Sequence, residues 1–319
     1  MFGSSNGASL VPNSLRTSVT AVFVASFCCI GSASDALANV RVCQEQEQHY
    51  TQIKQSAGPL EINAALSAAA DKGCIELARR LLDDGASLAS RDRLGAMPLT
   101  HAAKSGQTEI VELFLGRDAD INARDLDGGT ALFAASEEDN PSAVQALIAH
   151  GADVNIPGRT GLTPIAAASF SGNEQIVRLL LDKGADPRKT DATGKAPILY
   201  AVARGFPKVV RLLIDHAIDV NARYGNDLTA LMWAAGHEDA AGSNDVADVL
   251  ALLIDHGAHI DDQDNRGRTA LMIAASLGHE KAVDVLLASG ANKTLRDKAG
   301  KTAADLAAND ALCKKLTVN

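Results

Sequence analysis

Aromatic side chains are scarce: one Trp, three Tyr and seven Phe make 3% of a 319-residue chain whose hydrophobic fraction reaches 46%. A core with so few large rings must be built from many close contacts between small aliphatic residues. Basic residues are in deficit, 30 Lys and Arg against 39 Asp and Glu, for a net charge of −9. That balance argues against a general nucleic-acid binder, because neutralising phosphates requires a basic surface. Cysteine is limited to five residues with no CxxC pair, so neither a dithiol redox motif nor a cysteine zinc site is written in the chain. No G-x-x-x-x-G-K-S/T phosphate loop occurs, and Ser105-Gly106 and Ser171-Gly172 lack the strand–turn–helix context of a nucleophile. Glu137-Glu138-Asp139 places carboxylates on consecutive positions, which do not converge on one point of a helix. These absences remove the familiar catalytic groupings. The chain reads as no enzyme, with no cofactor, catalytic residue or metal site.

The first 38 residues differ from the rest. They hold one Arg (Arg16), one Asp (Asp35) and the apolar run "SVTAVFVASFCCIG" from Ser18 to Gly31. Ala36 and Ala38 frame Leu37 just beyond it, the small-x-small pattern of a secretory signal peptide. The run is shorter than the roughly 20 residues of a membrane span. Residues 1–38 are therefore expected to be a leader cleaved before Asn39; cleavage after Ser34, or retention as an anchor, are the alternatives. Its removal takes away one base and one acid, so the charge stays −9. Export implies a secreted or periplasmic location and no stable membrane insertion after cleavage. In such an oxidising compartment Cys43 and Cys74 can pair and tie the segment 39–59 to the chain beyond residue 60, or both can remain buried thiols.

From residue 60 onward the chain repeats itself. "TPIAAASFSGNEQIVRLLLDKGAD" begins at Thr163, and its counterparts begin at Ala64, Met97, Thr130, Ala196, Thr229, Thr269 and Thr302. The step is 33 residues throughout, except for 40 between Thr229 and Thr269. Each unit carries two short apolar stripes at helical spacing, too small to bury a core alone, so each must pack against its copies. Asp92, Asp125, Asp191, Asp264 and Asp297 each precede a Gly-containing turn, and Asn122, Asn155 and Asn221 recur after the second stripe. Small pairs such as Ala102-Ala103, Ala234-Ala235 and Ala274-Ala275 mark close helix approach. Several positions depart from the pattern. Asp118 and Ala217 replace a terminating Gly, Gly158 and Tyr224 replace the turn Asp, and Asn140 is expected to cap the helix beginning at Pro141.

A 33-residue helix–turn–helix period with starts like T-P-L-H-x-A resembles the ankyrin repeat family. The likeness covers about residues 60–316 in about eight units, the first and last acting as caps. It implies an all-α solenoid of stacked helix pairs with β-hairpin-like connecting loops, 39–59 as an N-terminal capping segment and 60–319 as the repeat domain. In this capping segment a short helix is expected, ended by Pro59. The resemblance also implies a concave binding surface formed by hairpin tips and the exposed side of the first helices. On the tips lie Arg93, Arg124, Arg159, Lys195, Arg223, Arg266 and Arg268; on the first helices lie Phe170 and Arg204. Two readings of this basic rim compete: solvated partners of the turn Asp residues, or a guide for a protein with an acidic surface. Phe170 reads as a contact anchor or as cover for its neighbour, while Tyr200 and Trp233 read as core. His150, His216 and His256 precede helix ends, where the negative helix terminus favours them. The implied function is a monomeric protein–protein interaction scaffold; a secreted effector is the alternative. The extra seven residues within "GHEDAAGSNDVAD" (236–248) read as a loop whose His237, Glu238, Asp239 and Asp245 could at most hold a cation weakly.

Overall fold

A computed structural model describes residues 33–237 and 245–317. The expected leader therefore lies largely outside the described residues, as do Glu238 and Asp239. Chain contacts separate a unit Met1–Ala38 from a compact unit Asn39–Asn319. Helix α1 (Ala33–Ile53) opens the described residues.

Eight pairs of short helices come next among the described residues. They are α2 (Pro59–Lys72) with α3 (Ile75–Asp83), α4 (Pro98–Lys104) with α5 (Thr108–Leu115), α6 (Ala131–Glu137) with α7 (Pro141–Ala149), and α8 (Pro164–Ser171) with α9 (Glu174–Asp182). Then come α10 (Pro197–Ala203) with α11 (Pro207–Asp215), α12 (Ala230–Ala235) with α13 (Asp245–Asp255), α14 (Ala270–Leu277) with α15 (Glu280–Ala288), and α16 (Ala303–Leu306) with α17 (Asp310–Thr317). First helices stack on first helices and second on second, α4 on α6 on α8 and α5 on α7 on α9. No strand occurs among the described residues; one isolated bridge joins Tyr224 and Leu228.

Local chemistry explains five of the first-helix starts. Thr130, Thr163, Thr229, Thr269 and Thr302 accept a hydrogen bond from the backbone N–H three residues on, capping their helices; such a cap contributes about 1 kcal/mol. The first helices bury Ala102, Ala103, Ala135, Ala168, Ala201, Ala234 and Ala274, whose small side chains let neighbouring backbones approach. Second helices fill the core behind them with Ile110, Val111, Leu147, Ile176, Leu180, Val210 and Leu213. The aliphatic core demanded by the shortage of aromatics is thus continuous along the stack.

The recurrent Asp closes the turn that leads into each next unit. Asp92 Oδ1 accepts from the N–H of Leu94 and Ala96, both at 2.8 Å, and Asp191, Asp264 and Asp297 repeat this with their own turns. Adjacent tips are joined through backbone bonds such as Leu126 N–H to Leu94 O (3.0 Å) and Lys298 N–H to Arg266 O (3.0 Å). The recurrent Asn joins unit to unit: Asn155 Oδ1 accepts from Asp186 N–H, and Asn221 Oδ1 from His259 N–H.

The departures resolve in particular ways. Asp118 and Ala217 keep the left-handed conformation of the Gly they replace, with φ of 60° and 62°. Where Gly158 and Tyr224 stand for Asp, the turn still closes, but through short 3-10 turns at Arg159–Gly161 and Gly225–Asp227 that drive Thr160, Asn226 and Asp227 to positive φ. Asn140 does not cap α7 with its side chain. Its amide instead donates to the carbonyls of Ala103 and Lys104 at the end of α4, where the last C=O groups of a helix lack their full complement of intrahelical bonds. Pro59 begins α2 rather than ending the capping helix, since a proline at the first helical position gives up no needed N–H.

At the N-terminal edge α1 lies against the first pair. Cys43 and Cys74 are joined by a disulfide, S–S 2.05 Å, and Cys313 is a free thiol. Tyr50, 1% exposed, donates its hydroxyl hydrogen to Asp84, which also pairs with Lys54 at 2.6 Å.

Candidate binding surface on the first helices

The side of the first helices turned away from the second helices carries a strip of rings and cations over three consecutive units. Phe170 near the end of α8 is 48% exposed. Its ring meets Tyr200 of α10 edge-on, centroids 6.2 Å apart. The Arg204 guanidinium, at the end of α10, lies 4.8 Å from the Phe170 centroid and 5.9 Å from that of Phe206. Lys195 Nζ sits 5.8 Å from the Tyr200 ring and 5.7 Å from the Trp233 ring of α12, and Trp233 stacks on His237 at 5.4 Å. Each such cation–ring contact is worth about 0.5–1 kcal/mol at an exposed site. Phe170, Lys195 and Arg204, marked from the sequence, are thereby brought together.

Tyr200 and Trp233, expected in the core, belong to this strip; both are half-buried, and Trp233 also packs against the core. Repeat phase explains both. Tyr200 and Trp233 stand 99 and 132 residues after His101, three and four steps of 33. In its unit His101 Nε2 lies 3.1 Å from Oδ2 of the turn Asp92, and in its unit the Tyr200 hydroxyl donates to Oδ2 of the turn Asp191. Burial, then the hydrogen bond to Asp191, raises the Tyr200 phenol well above its ordinary range. Burial opposes ionisation of Asp191, but the bonds from Tyr200, Thr193 and the turn amides outweigh it and hold that carboxyl low. At Trp233 the scheme fails. Tyr224 occupies the turn-Asp position, and the indole Nε1–H is buried with no hydrogen-bond partner among the described residues. Tyr224 itself is pushed up to about 12 by burial and by Asp219. An unpaired buried donor costs on the order of 1–3 kcal/mol.

The remaining rim residues are engaged elsewhere. Arg124 donates to Gly128 O (2.8 Å) and to Pro157 O (3.1 Å) in the next turn. Arg223 donates to Asp227 O and Gln263 O and pairs with Asp262 at 3.1 Å. Arg91 makes the same two-turn contact, so these side chains join successive turns through otherwise unpaired carbonyls. Arg159 pairs with Asp127 at 3.5 Å, and Arg266 and Arg268 approach the buried Asp264 at 3.8 and 3.3 Å. Arg93 is exposed at the first tip.

Nearer the N-terminus the same face holds a groove of about 440 Å³ lined by Thr100, His101, Lys104, Asp125, Phe133 and Glu137. Burial and the neighbouring Glu138 raise the Glu137 carboxyl above its usual value, against the pull of Lys104. His101 bridges Asp71 and Asp92 at 3.0 and 3.1 Å. Among the helix-end histidines, His216 and His256 bond the carbonyls of Leu212 and Leu252 in their own helices, while His150 pairs with Glu112 of α5 at 2.7 Å. Among the described residues no group of three or more His, Cys, Asp or Glu is placed to hold a metal ion. No helix among them is long and apolar enough to cross a membrane.

Stacked helix pairs, Asp-closed turns and a row of first helices define a helical repeat solenoid. Four stretches, residues 41–125, 118–191, 167–242 and 238–316, match the family model described as ankyrin repeats. The chain belongs to the ankyrin repeat family. Ankyrin repeats generally mediate protein–protein interaction and are typically non-catalytic. Comparison with curated proteins found no match.

Proposed function

We propose that the chain is an exported interaction scaffold, secreted or periplasmic, that binds another protein through the concave face of its repeat stack. The observation that carries this reading is Phe170, a large apolar ring half exposed on the first-helix row, with Arg204 over its face and Tyr200, the ring beneath Lys195, at its edge. A preorganised stack loses little ordering entropy on binding, and large rings beside arginine make strong contact centres. The two cations fit a partner with an acidic surface, while a net charge of −9 opposes nucleic acid. Export is supported by the apolar run Ser18–Gly31, the small residues Ala36 and Ala38, and the Cys43–Cys74 disulfide, a bond kept in oxidising compartments. The scaffold acts as a monomer, its edges covered by α1 and by the polar α17, and performs no covalent chemistry.

Affinity capture from the exported fraction tests the reading, with the wild-type chain as one bait and a folded Phe170→Ser, Arg204→Ala variant as the other. A partner held by the first and lost by the second is the expected result. A partner held equally by both, or no specific partner, would overturn it. N-terminal sequencing of the exported chain is expected to begin at Asn39.

A further inference from the structure

We infer that the strip on α8, α10 and α12 recognises a linear acidic segment: an extended peptide that lays an apolar or aromatic side chain on Phe170 and sets carboxylates against Arg204 and Lys195. This deepens the concave-face reading and rests on it.

The two cations differ from the rim arginines in how they are used. Arg124, Arg159, Arg223, Arg266 and Arg268 are occupied by carbonyls or carboxylates of the chain. Arg204 and Lys195 are instead held over ring faces. Stacking fixes a guanidinium while leaving its N–H edge available for a carboxylate, the two-bond geometry for which arginine is suited. Asp191, the acid nearest Lys195 in the turn, is buried and spends its oxygens on Tyr200, Thr193 and turn amides. Among the described residues neither Arg204 nor Lys195 forms an ion pair with an acid of the chain.

Shape favours an extended chain. Three stacked first helices at about 8–10 Å spacing make a strip on the order of 20 Å long, which about six residues of extended peptide would cover. Rings alternating with cations also suit a single-stranded nucleic acid. Two cations on a chain of charge −9 disfavour a polyphosphate backbone, so a polythymidine oligonucleotide serves as the competing probe.

Trp233 is the sole tryptophan of the chain, so its emission reports from the strip itself. The purified chain would be titrated with a synthetic peptide of about eight residues, Glu and Asp around a central Phe, long enough to exceed the strip. Its Gln/Asn and Lys counterparts and the oligonucleotide are run in parallel, with calorimetry as the second readout. The expected result is a saturable change with the acidic peptide, weaker at higher salt, and at least about tenfold weaker binding of the amide peptide. Arg204→Ala should lose about tenfold or more, Arg204→Lys should lose less, and Arg211→Ala, exposed on the second helix α11, should match wild type. Circular dichroism and melting confirm that each variant is folded. Equal binding of acidic and amide peptides, undiminished binding by folded Arg204→Ala, tighter binding of the oligonucleotide, or no saturable heat or emission change would overturn the inference. If the peptide fails while a captured partner is still lost on Phe170→Ser, the acidic-segment inference falls and the concave face stands. If the partner ignores Phe170→Ser, both fall.

Discussion

Ala217 is exposed and holds φ at 62°, a conformation in which an L-residue with a Cβ is strained by roughly 1–2 kcal/mol. Glycine occupies the corresponding place in most units, as at Gly151, Gly184 and Gly257, each with φ between 85° and 88°. Ala217→Gly should therefore stabilise the chain by about 1 kcal/mol, the strain relieved less the entropy glycine regains on unfolding; urea unfolding measures it, and a loss would show that the turn is not under strain. His101 gives a pH-dependent prediction. Its hydrogen bond to Asp71 raises its pKa above 6.5, with burial opposing and the charges of Asp71 and Asp92 assisting. A raised histidine stabilises most fully below its unfolded value, and the contribution is lost as pH rises through the folded one. Wild type should then lose more stability between about pH 6 and pH 8 than His101→Gln does, as followed by melting temperature. The Trp233 donor shows what was legible at this scale. Its repeat phase and the Tyr224 departure are both visible in the sequence, but that the two residues belong to one hydrogen-bonding scheme emerges only from His101 and Tyr200 reaching their turn aspartates.

At the scale of elements, α1 depends on few attachments: the Cys43–Cys74 bond, buried Tyr50 and the ion pairs of Asp84 and Arg80. A disulfide closing a separation of 31 residues stabilises by about 3–4 kcal/mol in the chain-entropy account. Reduction, or replacement of both cysteines by serine, should lower stability by that order and speed amide exchange first in α1, with the later helix pairs protected. Uniform exchange across all helices would contradict this local role. Helix starts were readable from Thr, Pro and Gly because capping is a local matter. Asn140 and Pro59 depart from their expected roles because the former bonds a different unit and the latter sits between two helices, and local propensity cannot choose between those roles. The rim is half legible for a similar reason: the positions of Arg124 and Arg223 are periodic, but their use in joining turns depends on carbonyls one unit away.

Across the whole molecule the 33-residue period sufficed for the fold, because each unit meets only copies of itself and its neighbours' chemistry is already written. The recognition surface is not periodic in this way. Phe170, Lys195, Arg204 and Trp233 come from different phases, and only stacking places them side by side. That is why three of these were marked from the sequence as separate candidates and their assembly into one strip was not. The central claim, that partners dock on this face, is tested most directly by placing a photoreactive benzoylphenylalanine at Phe170 in one chain and at Asp182, exposed on the second helix α9, in another. After irradiation in the producing cells, a covalent adduct with a second protein is predicted from position 170 and not from position 182. Adducts from 182 with none from 170 would contradict the account and move the interface to the second helices.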